Sequence, residues 1–332
     1  PRSALGDQDF SQAQGADVQP ARASLYGHGL LGSQGEVNNG SHVATMSNGH
    51  NVMFCATDWF GFATGDLLNV ASVLVDLSLF PAIPDGSQQG MLNKMFLARL
   101  MKHPEGFAGN SNFQVSGVPV FDTSEVFYDG NSQGGIMGGV VVATAPDVHR
   151  GVLGVPGMNY STLLRRSVDF DLYSVPLYLS YPDELDRNFL FAFMQTLWDR
   201  SENNGYAHHL NKDPLPPLPG EPVVTKKVLL HPALADHQVT MWSAEVMART
   251  MDAPVDRTRV HQDRHPDTVE YFDLMDISAA YQQVGPVKRH DGSALVVWDE
   301  PWTGIVDARC VGDSTPVPPS GNVPPREGDD PH

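Results

Sequence analysis

The stretch FYDGNSQGG, residues 127–135, decides which fold the chain can adopt. An apolar run leads into it, Ser132 lies midway between Gly130 and Gly134, and a glycine-rich but apolar run continues over residues 133–145. This order predicts a strand that turns sharply into a helix, which strains the backbone at the apex and leaves little room for side chains two residues away. The turn lifts the Ser132 hydroxyl clear of the backbone and directs the first helix amides at the same point. The alternative is an ordinary glycine loop that contains a serine by chance.

Short apolar segments alternate with helical patterns along the rest of the chain. Apolar runs predict strands at 21–26, 51–59, 125–129, 151–157, 223–232 and 294–299, and helical spacing predicts helices at 66–80, 88–103, 133–145, 182–200 and 240–250. This alternation favours an α/β fold in which a mostly parallel sheet carries helices on both faces. Such sheets place their chemistry in loops at the carboxyl ends of the strands.

Changes in composition divide the chain into five parts. We predict an N-terminal tail at 1–20, a first core segment at 21–159, an inserted helical cap at 160–222, a second core segment at 223–309 and a Pro-rich C-terminal tail at 310–332. An amphipathic helical run and a stiff Pro-rich connection, KDPLPPLPGEP, mark the cap. The aromatic residues of that helix either line an apolar pocket or pack in the core. They are Phe189, Phe191, Phe193 and Trp198.

The charge balance restricts the partners of the chain. Among 332 residues, 39 acidic side chains outnumber 21 basic ones, and the formal net charge is −18. The resulting negative potential repels phosphate backbones and anionic membranes, which argues against nucleic-acid binding. The longest apolar stretch, 69–83, contains Asp76 and is too short to span a bilayer. Composition does not predict an oligomeric state.

The two cysteines, Cys55 and Cys310, are too few for a disulfide framework or a thiolate metal site. One bridge between them and two unrelated thiols are both open. No basic and apolar leader precedes residue 20. A soluble intracellular protein, and a secreted or periplasmic protein whose leader has been removed, would both have this sequence, so the compartment stays open.

A second motif, GHGLLG at residues 27–32, follows the first predicted strand, and we call it the HG loop. Acyl transfer needs two amide donors for the oxyanion, one just after the nucleophile and one from a loop after a neighbouring strand. His28 and Gly29 place Leu30 where such a loop would lie. The expected donors are the backbone amides of Leu30 and Gln133.

These motifs together resemble the α/β-hydrolase superfamily, in its esterase and lipase branches. The resemblance rests on GHGLLG, NVMFCATDW with FGFATG after it, GNSQGG, and HPALADHQVTMWSAEVM, and it covers roughly residues 21–300. It implies the chain order serine, acid, histidine. Asp236, four residues after VLLHP, matches the position of the acid. The other interpretation of Asp236 is a turn or helix N-cap aspartate, and both roles are compatible.

The resemblance places the histidine after the last strand, and His332 is the only histidine beyond residue 299. The Pro-rich tail is long enough to return it to the sheet. His290, before the last strand, and His237, beside Asp236, are the alternative bases. Family members have further strands before the HG loop, so we expect N-terminal strands to be missing and the chain to be truncated or processed at one or both ends.

Two other patterns suggest different chemistry. GHGLLG also fits G-x-G-x-x-G after a strand, and Asp58 ends the next strand, which outlines a dinucleotide site. Three turn signals follow where that site needs a helix. HQDRH at 261–265 has the spacing of a zinc helix but lacks the catalytic glutamate, and the pair His208 and His209 is read as surface or packing. We therefore expect no metal and no cofactor.

The sequence predicts a serine hydrolase that cleaves carboxylic esters, small or polymeric, through Ser132, His332 and Asp236 and an acyl-enzyme intermediate. An amidase or peptidase on the same fold is the first alternative. A hydrolase-like module that binds without catalysis is the second, and an NAD-dependent oxidoreductase is the least favoured.

Overall fold

The computed structural model describes residues 4–5, 19–38, 42–234, 236–258, 260, 274–284 and 286–298. Three features of the sequence analysis lie outside these residues: His332, Cys310 and the HQDRH motif at 261–265. Within the described part, no helix is long and apolar enough to cross a membrane.

The strands form one large sheet and two small hairpins. In chain order they are β1 (Ala4–Leu5), β2 (Ala21–Gly27), β3 (Val52–Ala56), β4 (Gln114–Val115), β5 (Val118–Pro119), β6 (Phe121–Asn131), β7 (Val148–Gly154), β8 (Lys227–His231), β9 (Val255–Asp256), β10 (Gln282–Val284), β11 (Val287–Arg289) and β12 (Ala294–Val296). The large sheet has eight strands in the order β1-β3-β2-β6-β7-β8-β12-β9. Only β1 is antiparallel to its neighbour in this described sheet. The hairpins are β4–β5 and β10–β11.

Eight α-helices connect and cover these strands in the described chain. They are α1 (His42–His50), α2 (Leu67–Val75), α3 (Ala82–Lys102), α4 (Gln133–Thr144), α5 (Tyr160–Leu163), α6 (Phe170–Ser180), α7 (Glu184–Trp198) and α8 (Met241–Met251). Short 3-10 helices follow several loops, including Gln34–Asn38 and Ala207–Leu210.

Alternate residues of β2 and β3 point to opposite faces of the sheet. Leu25, Met53 and Cys55 belong to the main apolar cluster, whereas Tyr26 and Phe54 pack in a second cluster that includes part of α1. Both faces are therefore covered. The predicted α/β fold, a mostly parallel sheet of the α/β-hydrolase type with helices on both faces, is confirmed.

Three of the differences between the structure and the sequence prediction concern the edge of the sheet, the segment after β2 and the predicted cap. Residues 4–5 of the predicted tail form the edge strand β1, which pairs with β3. The helix α1 lies where turn signals predicted a connection. In the predicted cap, α6 was missed because Pro176 interrupts it and apolar residues surround it, so its pattern shows no polar face.

Candidate active site

The strand-turn-helix predicted around Ser132 is present at the carboxyl end of β6. Ser132 follows the last residue of β6 and is the N-cap of α4. Its backbone has φ 59° and ψ −120°, a conformation that costs a side-chain-bearing residue free energy. The Ser132 amide donates to the Gly154 carbonyl at 3.0 Å, which fixes the turn to β7. The predicted strand-turn-helix is thus present, and Ser132 lies on a strained apex.

The glycines around Ser132 are required by close packing. A Cβ on Gly134 would lie 2.2 Å from the Gly27 carbonyl oxygen, and a Cβ on Gly130 would lie 2.7 Å from the Gly134 oxygen. The Tyr128 hydroxyl donates to that same Gly134 oxygen at 2.5 Å. The turn therefore packs directly against the end of β2, and this contact brings the HG loop beside the serine.

A buried histidine holds the HG loop in place. His28 is fully buried, its Nε2 accepts from the Trp59 amide at 2.8 Å, and its Nδ1–H donates to the Gly29 carbonyl at 2.8 Å. Burial, with Lys94 nearby, lowers the pKa of His28 to about 4, so its ring is neutral at ordinary pH. The Gly29 amide in turn donates to both Glu36 carboxylate oxygens at 3.2 Å. His28 and Gly29 thus position the loop rather than offering a reactive group.

Lys94 supports the same loop from α3, and no motif in the sequence indicates this role. Its side chain is fully buried, and its Nζ donates to the Tyr26 and Thr57 carbonyls at 3.2 and 2.7 Å. The ammonium also lies 4.1 Å from the centre of the Trp59 ring. Burial lowers the pKa of Lys94 to about 7. Lys94 therefore joins the carboxyl ends of β2 and β3.

Leu30, Ser132 and Gln133 line one cavity. Among the described residues, no acceptor is hydrogen-bonded to the Leu30 amide or to the Gln133 amide. The Gln133 side chain is buried, and its Nε2 donates to the Phe62 carbonyl at 3.1 Å, which ties α4 to the loop after β3. The amides of Leu30 and Gln133, two residues that line the cavity with Ser132, are thus available to a ligand oxygen.

The cavity is almost entirely apolar and encloses an empty volume of about 830 Å³, part of it open to solvent. Its walls come from α2, from α5, α6 and α7, and from the HG loop. Its polar groups besides Ser132 and Gln133 are the side chains of Ser167, Asp169 and Gln238, the hydroxyls of Tyr160 and Tyr173, and the Trp198 indole N–H. The Gln238 Nε2 donates to Asp169 Oδ1 at 2.9 Å, so these two already satisfy each other. The space is suited to an apolar group attached to a centre at Ser132.

Only half of the aromatic residues predicted for the α7 stripe face this cavity. Phe191 and Trp198 line it and are nearly buried. Phe189 and Phe193 are 59 % and 69 % exposed. The helical period explains the correction, because positions 189 and 193 lie on the side of α7 opposite to 191, 194 and 198.

Asp236 follows β8 at the carboxyl edge of the sheet. Its Oδ1 accepts from the Gln238 and Val239 amides at 2.8 and 2.9 Å, so it makes an aspartate turn. It is not the N-cap of α8, since Thr240 occupies that position. Gln238 and Val239 line the cavity, which places the turn beside Ser132.

The alternative bases lie in different places. His237 follows Asp236, and its carbonyl accepts from the Val168 amide at 3.0 Å. His290 precedes β12, and the adjacent Asp291 bonds to Lys227 at the start of β8. Through β7, Lys227 lies level with Phe127 on β6, which precedes Ser132 by five residues, or roughly 16 Å along the strand direction. The structure therefore places His290 at the amino edge of the sheet, away from the Ser132 turn.

No imidazole within the described residues is hydrogen-bonded to the Ser132 hydroxyl. His231 was not considered from the sequence; it ends β8 at the level of Asn131 on β6, and its Nε2 is buried without a partner in the described chain. The favoured base, His332, lies outside the described residues.

The HG loop and Asp58, which together fit a dinucleotide site in the sequence, make other contacts in this fold. Where that site needs a helix, the HG loop leads into the five-residue 3-10 helix Gln34–Asn38. Asp58 Oδ1 accepts from the Gln34 amide at 2.6 Å and so caps this turn. Neither feature supports a dinucleotide site.

Glu202 is a second buried group that the sequence did not single out. It is fully buried, and its carboxylate accepts from the Asn159, Tyr160 and Asn204 amides at 2.7–3.3 Å and from Gln195 Nε2 at 2.7 Å. Burial raises the pKa of Glu202 to about 7. Since Tyr160 lines the cavity, Glu202 fixes part of its wall. Its burial depends on distant segments meeting, which no local pattern reveals.

No protein-family model and no curated protein sequence matches the chain. Solved structures similar to it include acetyl xylan esterase from Paenibacillus sp. R4 (11 % identity, TM-score 0.47, covering 86 % of this chain and 71 % of that one). Acetyl xylan esterase 1 from Thermoanaerobacterium sp. JW/SL YS485 is 14 % identical (TM-score 0.46, covering 87 % and 73 %). Acylaminoacyl peptidase from Pyrococcus horikoshii is 10 % identical, with a TM-score of 0.41. The match covers 86 % of this chain but only 34 % of the peptidase. At these values the likenesses identify neither substrate nor catalytic residues.

Proposed function

We propose that the protein is a serine hydrolase that cleaves carboxylic esters with an apolar acyl group. The observation that carries the proposal is Ser132 on a strained strand-to-helix turn, beside two available amides and at the wall of an apolar cavity. A glycine loop with no catalytic role has no need of this backbone strain, which is stored where a side chain must be held in a fixed position.

In the proposed reaction, Ser132 Oγ attacks the ester carbonyl and passes its proton to an imidazole, for which we propose His332. The oxyanion of the tetrahedral intermediate accepts hydrogen bonds from the Leu30 and Gln133 amides. The imidazolium gives its proton to the departing alkoxide, which leaves an acyl-enzyme at Ser132, and water then attacks this ester by the same route. Asp236 would orient the imidazole and stabilise its charge while keeping its own turn.

The cavity wall supports an ester over a peptide substrate. An extended peptide carries amide donors and acceptors that lose free energy when buried without partners. Asp169 and Gln238 bond to each other, and Ser167 accepts from the Asp169 amide. In the described chain, the lining groups left without a hydrogen-bond partner are few, Tyr160 Oη and Trp198 Nε1 among them. An acyl chain needs no such partners. The helices α5, α6 and α7 would act as a cap over the acyl group, within the segment proposed at 160–222.

The experiment compares wild type with Ser132→Ala on p-nitrophenyl acetate, butanoate and octanoate and on the matched butanoyl anilide. We expect turnover of the esters, a preference for the longer chains over acetate, and a loss in Ser132→Ala on the order of 10⁴-fold or more with unchanged circular dichroism. Equal turnover by Ser132→Ala would refute the nucleophile. Faster cleavage of the anilide would favour the amidase alternative, and no turnover of either by wild type would favour the binding module.

A further inference from the structure

A group of metal-ligating side chains lies outside the proposed active site. His208, His209 and Asp213 each offer one ligand atom, and these atoms lie within 4.8 Å of one another. The two imidazole rings are adjacent, with centres 3.9 Å apart and planes tilted by 40°. The position of the histidine pair in the predicted cap had indicated a surface or packing role. The structure adds the carboxylate.

We propose that His208, His209 and Asp213 bind a divalent transition metal ion such as Zn²⁺. Two imidazole nitrogens and one carboxylate oxygen are a donor set that Zn²⁺ uses, with water in the remaining position. Ligands of a tetrahedral Zn²⁺ at about 2.0–2.2 Å lie about 3.4 Å from each other, so small side-chain rotations close the site. The inference stands independently of the proposed hydrolase function.

The backbone of this segment is fixed by packing and by a turn. The histidines lie on the 3-10 helix Ala207–Leu210, whose first and last residues are fully buried and anchor it in the core. The His208 carbonyl accepts from the Lys212 and Asp213 amides at 3.1 and 2.8 Å. These bonds fold the chain back, so Asp213 returns to the histidines at little further cost in chain entropy.

The ring of His209 is oriented by the same turn. Its Nδ1 lies 2.6 Å from the Asp213 carbonyl oxygen and 3.9 Å from Asp213 Oδ2. A histidine that donates one ring N–H to a backbone carbonyl has its tautomer fixed and its other nitrogen basic, an arrangement common in metal-binding histidines. The carboxylate of Asp213 is 77 % exposed, and the ring of His209 is 20 % exposed, so an ion can reach both.

The neighbouring charges favour a cation at this position. Lys212 is the nearest basic residue along the chain, and its Nζ bonds to Asp252 at 3.1 Å, away from the cluster. The net charge of −18 raises the local concentration of cations. A bound ion would link the 3-10 helix Ala207–Leu210 to Asp213, at the start of the exposed Pro-rich stretch 214–222 that leads to β8.

The test is isothermal titration of the whole protein with Zn²⁺, with Co²⁺ absorption as a probe of the ligand set. We expect saturable binding that weakens at least about tenfold in His208→Ala and in His209→Ala. His50→Ala, at the exposed last residue of α1, is the matched control and should bind like wild type.

Asp213→Asn keeps the test decisive if a histidine variant fails to fold, because Asp213 is exposed and its substitution disturbs no packing. Zn²⁺ should raise the unfolding temperature of wild type and of His50→Ala, and raise that of Asp213→Asn less. Absence of binding by wild type, or equal affinity in wild type and all three cluster variants, would overturn the proposal.

Discussion

Replacing Gly134 by alanine perturbs the contact on which the whole site depends. Gly134 is the second residue of α4, and the added Cβ would lie 2.2 Å from the Gly27 carbonyl oxygen and 2.7 Å from its carbon. Both contacts are with backbone, so no side-chain rotation relieves them. Ordinary contact begins near 3.4 Å, which means that α4 and β2 must separate by about 1 Å.

The expected cost follows from two opposing terms. Overpacking of this kind costs about 1–3 kcal/mol or more, and β2 is held between β3 and β6, so we expect the upper part of the range. The gain in helix propensity from glycine to alanine offsets at most about 1 kcal/mol. A net loss of about 2 kcal/mol lowers the unfolding temperature of a domain of this size by roughly 3–4 °C.

The assay is thermal and urea unfolding of Gly134→Ala, together with ester turnover. Turnover should fall by more than the folded fraction explains, because the shift moves the Gln133 amide relative to Leu30. The matched control is Gly49→Ala on α1, where an added Cβ meets nothing within 4 Å. That variant should be as stable as wild type or up to about 1 kcal/mol more stable. If Gly134→Ala matched Gly49→Ala in stability and turnover, the packing argument for the turn would fail.

Two further predictions concern buried titratable groups. Because burial lowers the pKa of Lys94 to about 7 from 10.5, the unfolded chain binds more protons between these values, and wild type should gain stability as the pH rises through this interval. Urea unfolding at a series of pH values should show no such gain in Lys94→Met. A parallel rise of the unfolding free energy with pH in both proteins would contradict this prediction. Glu202→Gln should lose about 2–3 kcal/mol, because an amide nitrogen would replace a carboxylate oxygen that accepts from backbone amides. Burial raises the pKa of Glu202 to about 7 from 4.5, so the folded wild type should lose stability as the pH rises between these values. Glu202→Gln should show no such loss. Equal pH dependence of stability in the two proteins would contradict this prediction.

The parts of the fold and site with a local cause could be predicted from the sequence. Gly130, Ser132 and Gly134 have a fixed spacing because the turn from strand to helix leaves no room for side chains, and the order of segments set the parallel sheet. The position of the HG loop beside the serine followed from the same argument.

The parts that depend on distant packing could not be predicted. Lys94 and Glu202 are ordinary charged residues in the sequence, and only the meeting of separate segments buries them. Helix α6 has no polar face from which to recognise it, since Leu172 and Leu179 are exposed while Phe170 and Leu177 are buried. Asp213 approaches His209 because of a turn held by backbone hydrogen bonds, which any residue type can make and which the sequence therefore does not reveal.

Covalent labelling tests the central claim, that Ser132 is a nucleophile, most directly. Wild type treated with a fluorophosphonate and digested should show one phosphonylated peptide from residues 127–135, with the modification on Ser132 and ester turnover lost in proportion. Ser132→Ala should take up no label. Labelling of a different serine, or full ester turnover by wild type whose Ser132 stays unmodified, would contradict the claim.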